Sequence, residues 1–126
     1  MSRIKIVVAG ATGRMGQTLL RAIAESQDFI LHGALERAGH PDLGNDAGTL
    51  AGLKPMNVAL SDDPLMALKD TQALVDFTTP QFSVALAALA AQARIVHVLG
   101  TAGLSENDDD KIRATAPRGV MVKSGN

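Results

Sequence analysis

Three glycines set the first chemical expectation. In Gly10-Ala11-Thr12-Gly13-Arg14-Met15-Gly16 they recur at every third position, directly after the apolar, β-branched run IKIVVA and directly before a segment carrying Met15, Leu19, Leu20 and Ile23 at helical spacing. A strand that ends in such a loop and re-enters the chain as a helix aims the free amides and the positive end of the helix dipole at the loop, which is an arrangement that holds phosphate. Each glycine has its own reason: Gly10 for the tight turn out of the strand, Gly13 so that backbone can approach a pyrophosphate with no Cβ between, Gly16 for close packing of helix on strand. Ala11, Thr12 and Met15 complete the loop, and Arg14, at the helix start, can reach an anionic oxygen. The same glycines could serve turn geometry alone; their place between a buried strand and an amphipathic helix favours the ligand reading.

Glu36 stands 20 residues after Gly16, at the end of a second apolar run. That is the position of the acidic residue that binds the adenosine ribose hydroxyls in NAD-binding domains. Arg37 comes directly after it, and an arginine there can pair with the 2′-phosphate of NADP. Glu36 favours NADH and Arg37 favours NADPH, so the pair predicts a site tolerant of either, although two charges at a strand end can also be mere solvated surface. Two further strand ends carry Asp76-Phe77-Thr78-Thr79-Pro80 and Gly100-Thr101-Ala102-Gly103. Both should line the crevice at the C-terminal edge of a parallel sheet. Phe77 can pack on a dinucleotide or belong to the core, and the backbone of Gly100, Thr101 and Ala102 can hold the nicotinamide half or simply turn.

Other polar groups read as structural. His32 and His97 alternate with apolar neighbours inside strands, and His40 lies in a polar loop where exposure is expected. No histidine pair has metal-ligand spacing. Asp108-Asp109-Asp110 falls in the first turn of a helix, where carboxylates complement the dipole, so no metal is expected.

These groups need a scaffold, and the hydrophobic pattern supplies one. Strands are expected at 4–9, 29–36, 57–60, 71–77, 94–99 and 119–123. Helices are expected at 14–26, 62–69 (capped by Ser61 or Asp62, with Pro64 in its first turn), 81–92 after Pro80, and 105–116 behind a capping box at Ser105. Residues 37–54, rich in Gly, Pro, Asn and Asp, read as a long loop. Strands alternating with helices predict an α/β fold: a Rossmann-type, doubly wound parallel sheet in three layers. The whole chain, 1–126, reads as one dinucleotide-binding domain. Only three residues come after the last strand, where a functional loop should begin, so a fragment of a longer protein is expected.

Composition bounds the function further. With 126 residues, 46% apolar content and only three aromatic side chains, all Phe, the core must be aliphatic. A net charge of −1 excludes a protein devoted to coating nucleic acid or anionic membrane. The absence of cysteine excludes disulfides, thiolate catalysis and cysteine metal sites. No apolar stretch approaches the roughly 18 residues of a membrane span, and the N-terminal run is too short for a signal peptide. A cytoplasmic location is the expectation.

Taken together, these motifs resemble one family, the 4-hydroxy-tetrahydrodipicolinate (dihydrodipicolinate) reductases of lysine and diaminopimelate synthesis. The resemblance rests on Val8 through Gly16, on Ala34-Leu35-Glu36-Arg37, on Leu43-Gly44-Asn45-Asp46-Ala47-Gly48, on Asp76-Phe77-Thr78, on Gly100-Thr101 and on the closing Gly125-Asn126. It implies an oxidoreductase that transfers hydride from NADH or NADPH to a small cyclic substrate. The implied cofactor residues are Gly10, Ala11, Thr12, Gly13, Arg14, Met15, Glu36, Arg37, Gly100, Thr101, Ala102, Ser124, Gly125 and Asn126, joined by Phe77 from the strand-end reading; Thr101 is also the expected substrate contact. The resemblance further implies a C-terminal domain for substrate and tetramerisation, which is absent here together with the family's catalytic His/Lys motif, so no catalytic residue is assigned. The full-length protein is then expected to be a homotetramer, and the isolated chain monomeric or weakly associated. Where the family usually has Gly-Thr-Thr-Gly this chain has Ala102, which puts substrate affinity in question. Two other readings share the glycine loop: a short-chain dehydrogenase, whose Tyr-x-x-x-Lys pair this tyrosine-free chain lacks, and a non-catalytic NAD(P) redox sensor.

Overall fold

A computed structural model describes residues 2–115 and the backbone of the strand at 120–123. The elements run β1 (Ile4–Ala9), α1 (Arg14–Glu25), β2 (Phe29–Leu35), α2 (Ala47–Leu50), β3 (Leu60–Ser61), α3 (Pro64–Ala67), β4 (Ala73–Asp76), α4 (Pro80–Ala93), β5 (Val96–Leu99), α5 (Glu106–Arg113) and β6 (Val120–Lys123). The six strands form one sheet in the order β3-β2-β1-β4-β5-β6, and every neighbouring pair is parallel. The order reverses between β1 and β4, which is the switch point where open α/β sheets take their ligands.

The central strand shows why IKIVVA reads as an unbroken apolar run. Ile6 and Val8 enter a cluster with Leu20, Ile23 and Leu31, while Val7 and Ala9 enter another with Leu35, Leu74, Leu86 and Ala90. A strand covered on both faces has no polar side to alternate with. The first cluster packs α1 and the loop region on one face, the second packs α4 on the other, and Ala87, Leu99 and Ile112 join α4 to α5. The core is aliphatic, as the composition requires.

Several boundaries differ from the sequence pattern, each for a local reason. The segment 37–54 is not all loop, because Asp46 caps the single-turn helix α2 by accepting from the Thr49 amide at 2.9 Å. The same carboxylate accepts from Met56 and Val58 amides at 3.0 and 3.2 Å. Residues 57–59 are therefore tied to that loop, and β3 begins only at Leu60. Helix α3 is one turn long, and its cap is Asp63, whose side chain accepts from the Met66 amide at 3.2 Å. β5 starts at Val96 because Arg94 ends α4 in the left-handed region (φ 57°, ψ 43°) with its amide bonded to Ala90 and Ala91 carbonyls. Helix α5 stops at Arg113. Residue 116, its expected end, and Gly119, the expected start of the last strand, lie outside the described residues.

Asp46 is the pin of the 45–58 segment. Burial pushes its carboxyl upward, but amides of Thr49, Met56, Val58 and Asn57 outweigh that and lower it from 3.8 to about 2. A carboxylate depressed in the folded state stabilises above its unfolded value, and the contribution is lost as pH falls through the folded one. Asp46→Ala should cost about 1–2 kcal/mol near neutrality, the scale of an N-cap loss. Urea denaturation should show the gap between wild type and variant shrinking between pH 3.8 and about 2; a constant gap would contradict this role.

Candidate functional site

The site forms where the C-terminal ends of β1, β2, β4 and β5 meet the start of α1. Gly10 leaves β1 with φ 79°, donates to the Leu35 carbonyl at 2.9 Å and accepts from the Gly13 amide at 3.1 Å. A Cβ on Gly10 would strike the Phe77 carbonyl group, and one on Gly16 would overlap the Gly10 carbonyl oxygen and lie 2.8 Å from the Ala11 Cα. Gly13 is different. Its φ is −73°, and a Cβ there would meet only the Gly10 oxygen, at an ordinary 3.5 Å. The protein's own packing demands Gly10 and Gly16; Gly13 keeps a space open.

Helix capping points the same way. Asp46, Asp63, Thr79 and Ser105 cap α2, α3, α4 and α5 with side-chain oxygens. Alone among the described helices, α1 has no side-chain cap, and its first turn holds no acidic residue. Its first amides have no intrahelical acceptor, so they and the dipole face the space over Gly13. This fits a phosphate and needs no rearrangement.

Two clefts open on either side of the loop. One, of ≈ 290 Å³, is walled by Met15, Gly100, Thr101 and Ala102, with Arg14 at its edge. The other, of ≈ 430 Å³, is walled by Thr12, Glu36, Arg37, His40, Thr79 and Phe82. Gly10, Gly13, Phe77 and Thr78 belong to both. Half-buried Phe77 is neither core nor free surface: its ring covers Gly100, and a Cβ at Gly100 would strike it. A molecule with two bulky ends joined by a phosphate bridge fits this outline.

Beneath the clefts lies a buried polar network. Asp76 is fully buried, with His97 Nε2 3.0 Å from one carboxylate oxygen. The other oxygen accepts from the Thr78 amide at 3.1 Å and the Thr78 hydroxyl at 2.6 Å. Thr101 Oγ1 lies 2.6 Å from Ser83 Oγ and accepts from the Thr78 amide at 3.1 Å. Burial pushes Asp76 upward, yet hydrogen bonds from His97, Thr78 and Ser83, with the attraction of His97, hold it below the ordinary 3.8. The family resemblance implies a substrate contact at Thr101. Its hydroxyl takes part in this network, and Thr101 also lines the smaller cleft.

Gly10, Thr12, Gly13, Arg14 and Met15 converge with Glu36, Arg37, Phe77, Gly100, Thr101 and Ala102 around the two clefts, whereas Ala11 lines neither cleft and is buried in the core. Ser124, Gly125 and Asn126 lie outside the described residues. His97 is structural, as its alternation predicts, and His32 contacts the Lys69 carbonyl at 2.7 Å. Asp108 completes the capping box with Ser105, and Asp109 pairs with Arg113; among the described residues no group of His, Cys, Asp or Glu could hold a metal. His40 departs from expectation. It is half-buried, with Nε2 3.2 Å from Thr12 Oγ1, which itself donates to Glu36 at 2.6 Å. Thr79 and Phe82 also line the larger cleft without any sequence signal beyond standing near a strand end.

Residues 4–126 match the family described as dihydrodipicolinate reductase, N-terminus. The 4-hydroxy-tetrahydrodipicolinate reductase of Rhizobium meliloti (strain 1021) is 54% identical over 123 residues, 98% of this chain and 45% of that protein. That of Brucella abortus (strain 2308) is 54% identical over 121 residues, 96% of this chain and 45% of that protein. The chain therefore spans about half the length of the curated relatives it matches. Among solved structures, a dipicolinate-bound dihydrodipicolinate reductase from Paenisporosarcina sp. TG-14 shares the fold with a TM-score of 0.74 at 19% identity, covering 99% of this chain and 48% of the other. An amine dehydrogenase from Mycobacterium smegmatis does so at 0.78 and 22%, covering 98% and 40%. The chain belongs to the dihydrodipicolinate reductase N-terminal family, with a Rossmann-type fold.

The glycines can be separated by experiment. Gly16→Ala should lower stability by more than about 3 kcal/mol, because backbone blocks the new methyl group. Gly13→Ala should cost no more than about 1 kcal/mol, the N-cap difference between the two residues, yet weaken dinucleotide binding at least tenfold. Thermal unfolding and cofactor titration together decide it: equal stability losses at the two positions would contradict the assignment.

Proposed function

We propose that this chain is the NAD(P)H-binding domain of a 4-hydroxy-tetrahydrodipicolinate reductase acting in lysine and diaminopimelate synthesis. The observation that carries the proposal is the pair of clefts joined over Gly13 at the one helix start without a side-chain cap among the described residues. The amides of the 10–16 loop and of the first turn of α1 hold the pyrophosphate, with Arg14 beside it. Glu36 and Arg37 wall the larger cleft and receive the adenosine ribose, its 2′-hydroxyl or its 2′-phosphate. Phe77, Met15 and the backbone of Gly100, Thr101 and Ala102 hold the nicotinamide side in the smaller cleft, and family resemblance adds Ser124, Gly125 and Asn126. When bound, the cofactor supplies a hydride to the cyclic substrate.

What the chain's own residues do is bind, orient and shield. The Asp76 network fixes the Gly100–Ala102 turn from below, since every buried side-chain polar atom among the described residues has a partner. A wall held this way keeps its geometry when the ligand arrives. Nothing in the smaller cleft supplies a proton to a substrate: its described walls carry Arg14 as their sole ionisable side chain. The proton donor and the substrate-carboxylate contacts are accordingly assigned to a C-terminal domain, as is the tetramer interface of the complete protein. Cytoplasmic location is part of the same proposal; among the described residues no helix is long and apolar enough to cross a membrane.

Titration of the chain with both cofactors tests the reading. If Arg37 pairs with the 2′-phosphate, Arg37→Ala should weaken NADPH by about 10- to 100-fold, the scale of a charged hydrogen bond, while NADH changes less than about twofold. An equal loss for both refutes that role. The 126-residue chain should bind dinucleotide without reducing the cyclic substrate, and detectable reductase activity from it would overturn the division of labour.

A further inference from the structure

We infer that His40 is a positioning residue that sets the choice between NADH and NADPH, an inference that rests on the dinucleotide reading of the larger cleft. Hydrogen-bond direction fixes where the ring carries its proton. The Asp42 amide donates to His40 Nδ1 at 3.1 Å. A ring nitrogen that accepts an amide proton carries none of its own, so the neutral ring holds its proton on Nε2. Nε2 lies 3.2 Å from Thr12 Oγ1 and therefore donates to it. With that lone pair occupied, the Thr12 hydroxyl directs its own proton to Glu36 Oε2, 2.6 Å away. The Thr12 amide reaches the same oxygen at 3.1 Å.

The relay runs in one direction, from His40 through Thr12 to Glu36, and it commits one carboxylate oxygen entirely. The other, Oε1, receives only a long 3.4 Å contact from the Arg37 amide among the described residues. Glu36 is thus held with Oε1 presented to the cleft that His40 and Arg37 also line. A fixed acceptor suits a ribose 2′-hydroxyl, which donates, and opposes a 2′-phosphate, which carries like charge. Removing His40 frees Thr12 Oγ1 to rotate and lets Glu36 swing away. NADH then loses a preorganised partner, whereas NADPH loses a repulsion along with any contact.

The test is a cofactor titration of the chain, wild type against His40→Ala and His40→Gln, read as the ratio of NADH to NADPH dissociation constants. An unfolded fraction lowers both affinities alike and leaves the ratio unmoved, so the ratio isolates positioning from stability. His40→Ala should move it toward NADPH by about five- to tenfold, the scale of one hydrogen bond. His40→Gln, whose amide N–H can replace Nε2–H, should restore at least half of that change on a logarithmic scale. A ratio unchanged in His40→Ala, or a shift that glutamine does not reverse, overturns the role of His40 while leaving the dinucleotide reading in place. Failure of the wild-type chain to bind either cofactor overturns both.

Discussion

Helix α1 approaches the end of β1 so closely that only glycine can stand at the contact. Gly16 faces the Gly10 carbonyl and the Ala11 backbone with no room for a methyl group, and the geometry of the whole 10–16 loop depends on that approach. It places the helix start over the switch point between β1 and β4. It lets Gly10 turn through φ 79° and hand its amide to Leu35 of β2, tying the loop to the neighbouring strand. Because Gly13 occupies the N-cap, no side chain competes for the first-turn amides. A serine or aspartate there would satisfy the helix from within and occupy those amides. Among the described residues, four other helix starts do have a side-chain cap, so the bare one stands apart.

The second constraint is the buried charge of Asp76. A carboxylate taken out of water destabilises unless its oxygens are partnered. Here they bind His97 of β5 and Thr78 beyond β4, and Thr101 and Ser83 complete the set. β4, β5 and α4, with the turns that carry Thr78 and Thr101, are therefore locked together at the rim of the smaller cleft by one fully buried group. The same lock holds the Thr101 hydroxyl inside, where leaving Asp76 or Ser83 short of a partner would incur the penalty of an unsatisfied buried group.

The range of the forces involved decides how much of this is legible in the sequence. β1 is legible because both its faces are buried, and the glycine loop because three backbone demands leave one residue type. Helix α5 declares itself through a local capping box. The one-turn helix α2 is obscured, since its existence depends on a single aspartate binding amides that composition assigns to loop; α3 is legible as a helix, but its cap at Asp63 and its single turn are not. Asp46 reaches as far as Val58, 12 residues on. His40 is missed for a stronger reason: its contact with Thr12 spans 28 residues, and a histidine in a polar loop gives no sign of what lies across the sheet edge. The two cleft-lining threonines after β4 stand in plain view, yet only the fold shows that Thr78 turns inward to Asp76 while Thr79 caps α4.

Glu36 and Arg37 place opposite charges at one cleft, and their mechanical states differ. Glu36 is anchored through one oxygen by the amide and hydroxyl of Thr12. Arg37 is exposed, and its guanidinium has no partner among the described residues. On the proposed reading the adenosine ribose therefore meets an anchored anion and an exposed cation held by no partner among the described residues. A fixed acceptor loses little entropy when a hydroxyl arrives, whereas an exposed arginine must be ordered before it contributes, against solvent screening. A 2′-phosphate would also sit near a carboxylate that cannot retreat. Tolerance of the phosphorylated cofactor then depends less on having an arginine than on how firmly the anion beside it is held, and that firmness is set outside the pair, at Thr12 and the ring behind it.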